Sequence, residues 1–173
     1  QKNYTKPLYQ AELNLDKFNK LNSELILNFL DNHIFKIEKL IKNFIKSIYV
    51  ILDTENLFSV QISIKKNNYG NKLNFENLNH SLSELKDQCK KTLNDEKIIH
   101  MIINNYQLDD RTFKSFPENL NCKFFSLDVT FICLSNKKII DLEKIFKKYH
   151  ISVKKIVSAK YVKDYFKIKN INI

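Results

Sequence analysis

One glycine in 173 residues, Gly70, limits what this chain can fold into more than any other feature. A globular domain of that length ordinarily carries about a dozen, at a usage of roughly 7%. Turns still need residues that tolerate positive φ, and asparagine is the next most tolerant type. Asn and Lys are abundant, the bias of an AT-rich genome. The scarcity of glycine has a chemical consequence. Phosphate-cradling loops use glycines to bring the backbone close to the ligand, and with Gly70 alone neither a Walker loop nor a dinucleotide fingerprint can be drawn. A nucleotide site made by this chain alone is not expected, and no cofactor is.

The length suits one domain, or one and a fraction. With 43% hydrophobic residues, 13 Phe and 8 Tyr, there is enough apolar material for a core. Cys89, Cys122 and Cys133 form no C-x-x-C pair and no metal-ligand spacing. A sparse, odd set fits a reducing compartment, with the thiols buried as small apolar side chains. No apolar run is long enough to span a bilayer and no signal peptide is evident, so a cytoplasmic location is expected. The only Met is Met101 and the first residue is Gln, so a piece of a longer chain or a processed product is expected. The net charge of +10 is uneven: Lys137–Lys169 holds eleven Lys against Asp141, Glu143 and Asp164. Such a tail attracts nucleic acid, anionic lipid or acidic partners. It is equally the solvated face of a Lys-biased protein, the reading preferred here. Arginine, the better reader of bases and phosphates, occurs once, at Arg111.

Periodicity sets the expected elements. Leu8–Lys17 alternates partially and reads as a weak strand. Asn32–Lys46 carries an amphipathic helical stripe with Asp31 or Asn32 as N-cap. Ser47–Asp53 has the look of a buried central strand. Phe58–Lys65 alternates as a half-exposed strand, Asn67–Asn71 is a turn, and Asn74 caps a helix running to Leu93. Ile98–Leu108 and Cys122–Leu134 are long strands, the second with Phe125, Leu127, Val129, Phe131 and Cys133 on one face. Between them Asp109–Asn121 is mostly polar and contains Pro117, so it reads as a loop too long for a tight hairpin. A helix from Ser135 or Asn136 points Ile139, Ile140, Leu142, Ile145, Phe146 and Tyr149 inward. A last strand follows at Ile151–Val157, then a helix at Ala159–Phe166. From Phe58 the order is strand, helix, strand, strand, helix, strand. That predicts an α+β two-layer sandwich with one sheet and two helices on one face.

Candidate chemistry is thin. His100 has no partner carboxylate or second His at useful spacing, and a buried strand His with a backbone hydrogen bond explains it. Asp109–Asp110 fits a turn hydrogen-bonding its own backbone better than a metal or acid–base pair. Asp95 and Glu96 sit where a helix gives way to a strand. No Ser-His-Asp or Cys-His arrangement has supporting context, so no catalytic and no metal-binding residues are assigned. An RNA-binding sandwich would stack bases on exposed strand aromatics. Phe124–Phe125 are followed by Ser126-Leu127-Asp128, a poor match, and Phe124 is expected to pack against a neighbour. The candidate partner-binding residues are Phe113, Phe116 and Leu120 on the long loop, with Arg111. Folding back over one end of the sandwich is the competing explanation for the three apolar ones.

Lys97–Leu134 places an apolar strand with a central His, a Tyr-x-Leu-Asp turn, a Phe-Pro-x-Asn-Leu linker and an alternating strand in one order. The segment resembles part of the bacterial actin-like cell-division protein FtsA. There the pattern is hydrophobic-His-x-hydrophobic-Pro-x-x-Tyr-x-hydrophobic-Asp, then Asn-Pro-x-Gly-Met-x-Gly, then an alternating strand. His100, Tyr106, Leu108, Asp109, Pro117 and Leu120 fall on it; Ile103 stands where the family has Pro, and Asn119 and Cys122 at its glycines. Ile48–Thr54, Lys72–Leu82 and His150–Ala159 resemble flanking family segments, so the resemblance covers roughly Ile34 to Tyr161.

The resemblance implies residues 58–157 as an interaction subdomain inserted into an actin-like domain. Residues 1–57 would supply an edge of that actin-like domain, and residues 158–173 would re-enter it. It further implies that ATP, bound in the family on glycine-bearing loops between two actin-like domains, belongs to parts outside this chain. Expected partners are further copies and other division proteins, at the inner face of the membrane at the division site. The pilus-assembly protein PilM, of the same fold family, implies instead a groove for a partner's N-terminal segment. From another class, a basic nucleic-acid-binding α+β domain is the alternative.

Overall fold

The computed structural model describes residues 7–13, 23–53 and 57–168. Its elements run α1 (Ser23–Ile41), β1 (Ser47–Leu52), β2 (Phe58–Asn67), α2 (Phe75–Thr92), β3 (Glu96–Leu108), β4 (Arg111–Phe113), β5 (Phe124–Ser135), α3 (Asn136–Lys147), β6 (Ser152–Ser158) and α4 (Ala159–Ile168). The class is α+β, as the periodicities predict. The weak strand expected at Leu8–Lys17 is absent from 7–13, and the rest of it lies outside the described residues. The chain divides into two compact units, Gln1–Val50 with Ile139–Lys155 and Ile51–Lys138 with Ile156–Ile173.

In the second unit the long alternating strand β5 is the centre of a four-stranded antiparallel sheet of order β2-β5-β3-β4. The pairing of β2 with β5 runs unbroken from Phe58↔Cys133 to Asn67↔Phe124. That of β3 with β5 contains two irregularities, between Ile98 and His100 and between Ile103 and Asn105. Each adds one residue to β3 and realigns its side chains with the faces of β5. Phe125, Leu127, Val129, Phe131 and Cys133 form one core with Leu78, Leu85 and Cys89 of α2. Helix α2 starts where expected. Asn74 Oδ1 accepts the Asn77 N–H at 2.9 Å, and Asn77 Oδ1 accepts the Asn74 N–H at 3.3 Å, a reciprocal cap.

All three thiols are buried in this unit. Burial pushes the Cys133 thiol up to about 12, and neighbouring Cys89 adds to the effect. Since the thiolate is the nucleophile, the native protein should resist alkylation at pH 8. All three cysteines should become reactive in denaturant. A thiol that labels rapidly in the native protein, counted by mass spectrometry, would contradict this packing.

Three partnerships differ from the single-sheet expectation. Strand β6 pairs with β1 in a separate two-stranded sheet. The Lys46 carbonyl accepts both the N–H and the hydroxyl of Ser152 at 3.0 Å, anchoring β6 there. Helix α3, beyond its first turn, groups with the unit containing α1 and not with the sheet that α2 covers. Strand β1 is not a buried centre: Tyr49 and Ile51 are 66% and 57% exposed. A short apolar run is ambiguous about burial, because sequence shows what a strand carries and not what lies beside it.

Helix α1 begins well before the expected Asn32. Asp31 and Asn32 lie inside it, Asn32 donating to the Asn28 carbonyl and Asp31 accepting the Tyr149 hydroxyl at 2.7 Å. Past its end Lys42 takes φ 51°. In α3, Ile139, Leu142 and Ile145 are buried as expected, but Ile140 is 47% exposed. Positive φ elsewhere falls on Tyr69, Gly70, Asp109, Asn119 and His150. Among the described residues asparagine therefore serves one positive-φ position, glycine one, and Lys, Tyr, Asp and His the other four. Among the described residues no helix is long and apolar enough to cross a membrane.

Candidate interaction surface

The segment expected to be a loop too long for a tight hairpin contains a strand of its own. After β3 the chain reverses over Asp109 and Asp110, and β4 pairs back with Leu108↔Arg111 and Tyr106↔Phe113. Asp109 makes the reversal possible with φ 49°. Its carboxylate accepts the backbone N–H groups of Lys123 and Phe124 at 3.0 and 2.9 Å. The hydrogen bonds expected within a local Asp turn thus reach across to the entrance of β5. Asp109 holds backbone together there.

The four candidate partner-binding residues separate into two groups. Phe113 and Phe116 pack against the core, Phe116 with its ring 4.6 Å from Phe75 and 5.7 Å from Tyr106. They cover one end of the sheet. Leu120 is 37% exposed, and Arg111 is exposed with its guanidinium 5.8 Å from the Phe113 ring. The connecting loop is held to the lead-in of α2 by paired backbone bonds, Asn119 N–H to the Leu73 carbonyl and Leu73 N–H to the Leu120 carbonyl, each 2.9 Å. Asn119 has φ 65°, Pro117 is buried, and Cys122 is 2% exposed with ordinary φ. Leu120 and Arg111 are therefore presented on a fixed frame.

The outer face of the sheet carries a row of polar side chains crossing all three long strands. Ser63 donates to Asp128 Oδ1 at 2.6 Å, Asn105 Nδ2 reaches Asp128 Oδ2 at 3.4 Å, and Lys114 Nζ donates to Asn105 Oδ1 at 2.5 Å. At the far end of that face His100 is buried. Its Nε2 accepts the Ser158 N–H at 3.0 Å and its ring stacks 4.2 Å from Tyr161. This is the backbone-bonded strand His that the spacing predicts.

Phe124 does not pack away as expected. It is 41% exposed, with the Lys65 ammonium 4.9 Å from its ring centre. The two border an open depression of about 450 Å³ that also holds Lys123, Asp109 and Asp110. One aromatic beside lysines is a fragment of a base-stacking platform, but two carboxylates in the same depression repel a phosphate backbone. Among the described residues no cluster of three or more His, Cys, Asp or Glu could hold a metal ion.

A feature the periodicities do not reveal is that β2, paired on one side only among the described residues, is a ten-residue sheet edge. Its signal was available in the uncharged run Phe58–Ile64, whereas its edge status depends on distant partners. No known family model matches this sequence, and no curated protein matches it.

Proposed function

We propose that this chain is a non-catalytic protein-interaction module of an FtsA-like cell-division protein, acting in self-assembly or in recruitment of division partners. The observation that carries the reading is the use made of the residues behind the resemblance. Asn119, where the family has glycine, takes the left-handed conformation that glycine serves best. Of the other matched positions, His100, Leu108 and Pro117 are buried, and Asp109 closes the turn between β3 and β4. The pattern thus coincides with positions that the local fold needs, which is what a family pattern is retained for. Cys122, at the second glycine position, is accommodated without positive φ, so the turn differs there from the family's form.

The non-catalytic part is supported by how ionisable groups are employed. Asp109 binds backbone N–H groups, His100 accepts one, and Glu84 pairs with Lys66 at 2.5 Å. ATP, on this reading, is bound by family segments outside the chain. Nucleic acid is disfavoured by the paired carboxylates beside Phe124.

Two experiments test the proposal. A fluorescent fusion of the chain in its source cells is expected to form a band at the division site; uniform or nucleoid-bound fluorescence overturns the reading. Oligonucleotide binding at about 50 mM salt is expected to be undetectable. Micromolar binding that falls steeply with salt would assign the basic tail to nucleic acid instead.

A further inference from the structure

The two edges of the four-stranded sheet differ in kind. One edge is β4, only three residues long and headed by Arg111, beside a β3 broken by two irregularities. Short length, charge and bulges are the devices by which proteins keep sheet edges from pairing with other chains. The opposite edge, β2, has none of them over Phe58–Ile64. That run reads F-S-V-Q-I-S-I, with no charge, no proline and no break in its register with β5. Val60, Ile62 and Ile64 pack on the core yet remain partly exposed, and Phe58 is 39% exposed. Ser59, Gln61 and Ser63 are exposed on the outer face.

The run is self-complementary. In an antiparallel pairing of two copies about a two-fold axis at Gln61, Val60 lies opposite Ile62, Ser59 opposite Ser63, and Phe58 opposite Ile64. Apolar residues then continue the core face and polar residues the outer face. Sliding the register by one residue sets serines against Val, Ile and Phe. A two-residue slide centred on Ile62 brings Lys65 against Ser59 and Lys66 against Phe58. In the Gln61-centred register both lysines fall beyond the seven-residue pairing, so no like charges meet.

We propose that a second copy of this chain pairs through β2, joining two four-stranded sheets into one continuous eight-stranded sheet with both α2 helices on the same face. The contact is isologous, as two-fold association requires, and extends about 24 Å at 3.4 Å per residue. Backbone hydrogen bonds supply adhesion and the matched pattern supplies register. The inference rests on the sheet edge and stands independently of the division-protein reading.

Sedimentation of the full 173-residue chain in about 0.15 M salt, where repulsion between like-charged copies is screened beyond roughly 8 Å, tests this. At concentrations up to about 100 µM the unmodified chain is expected to approach twice its monomer mass of 20.6 kDa. Gln61→Lys and Gln61→Glu each place like charges together on the two-fold axis, and each should weaken the dimer by at least about tenfold. Mixing these two variants should restore it as a mixed dimer, which loss of folding could not do. Circular dichroism establishes that each variant is folded; should one fail to fold, the double variant Ser59→Lys/Ser63→Lys, which sets lysine against lysine in the same register, takes its place and should lose the dimer, whereas Ser59→Lys alone, facing Ser63, should keep it. A chain that stays monomeric, or a dimer indifferent to charge at Gln61, overturns the proposal.

Discussion

Phe131→Ala is expected to cost about 3–5 kcal/mol, the range for emptying a buried aromatic site. Phe131 is fully buried midway along β5, the strand flanked on both sides by β2 and β3. Its cross-strand neighbours are Val60 and Met101, and it belongs to the cluster that joins the sheet to α2. Small domains keep only about 5–15 kcal/mol in total, so this one change removes a large share of the unit's stability. Urea titration followed by circular dichroism measures it, with the slope unchanged if folding stays two-state. Phe124→Ala is the control on the same strand. Phe124 is 41% exposed, so its loss should cost well under half as much. Similar costs at the two positions would show that the burial difference along β5 is wrong.

The same contrast explains which parts of the fold were legible. Helix α2 was read almost to the residue because its cap and its stripe are local: Asn74 and Asn77 bond each other, and Leu78, Leu85 and Cys89 recur at helical spacing. Strand β5 was legible for the same reason, with five alternating apolar residues turned to one core. Partnership is not local. Ile48–Leu52 is as apolar as a central strand, yet among the described residues it pairs only with β6 and leaves Tyr49 and Ile51 exposed. Strand β4 escaped because three residues carry no periodicity. Of the candidate surface, Arg111 and Leu120 were found as exposed residues, while the fold turns Phe113 and Phe116 inward. The β2 edge went unread, because one uncharged strand resembles another until its neighbours are known.

Asp109 combines two requirements that mutation can separate. It must accept a positive φ of 49°, and its carboxylate must receive the Lys123 and Phe124 N–H groups. Its own N–H donates to the Phe124 carbonyl at 3.0 Å. The opposite side of the same strip is held from the turn after β2, where the Asn68 N–H reaches the Lys123 carbonyl at 2.7 Å and the Gly70 N–H the Cys122 carbonyl at 2.9 Å. Residues 122–124 are thus gripped from two turns where the chain enters β5. Asp109→Ala removes the acceptor and puts an alanine in the left-handed region, for an expected loss of about 2–3 kcal/mol. Asp109→Gly restores the backbone freedom without the acceptor, and Asp109→Asn keeps one acceptor oxygen and tolerates the conformation. The expected order of stability is therefore Asp, then Asn, then Gly, then Ala. Amide exchange at Lys123 and Phe124 should quicken in the Gly and Ala variants alike, because both lose the acceptor. If Gly and Ala are equally stable, backbone strain plays no part in this turn; if Asn falls to the level of Ala, the oxygen is not what holds the strip. The second result would separate the turn from the entrance of β5, and with it the frame on which Arg111 and Leu120 are displayed.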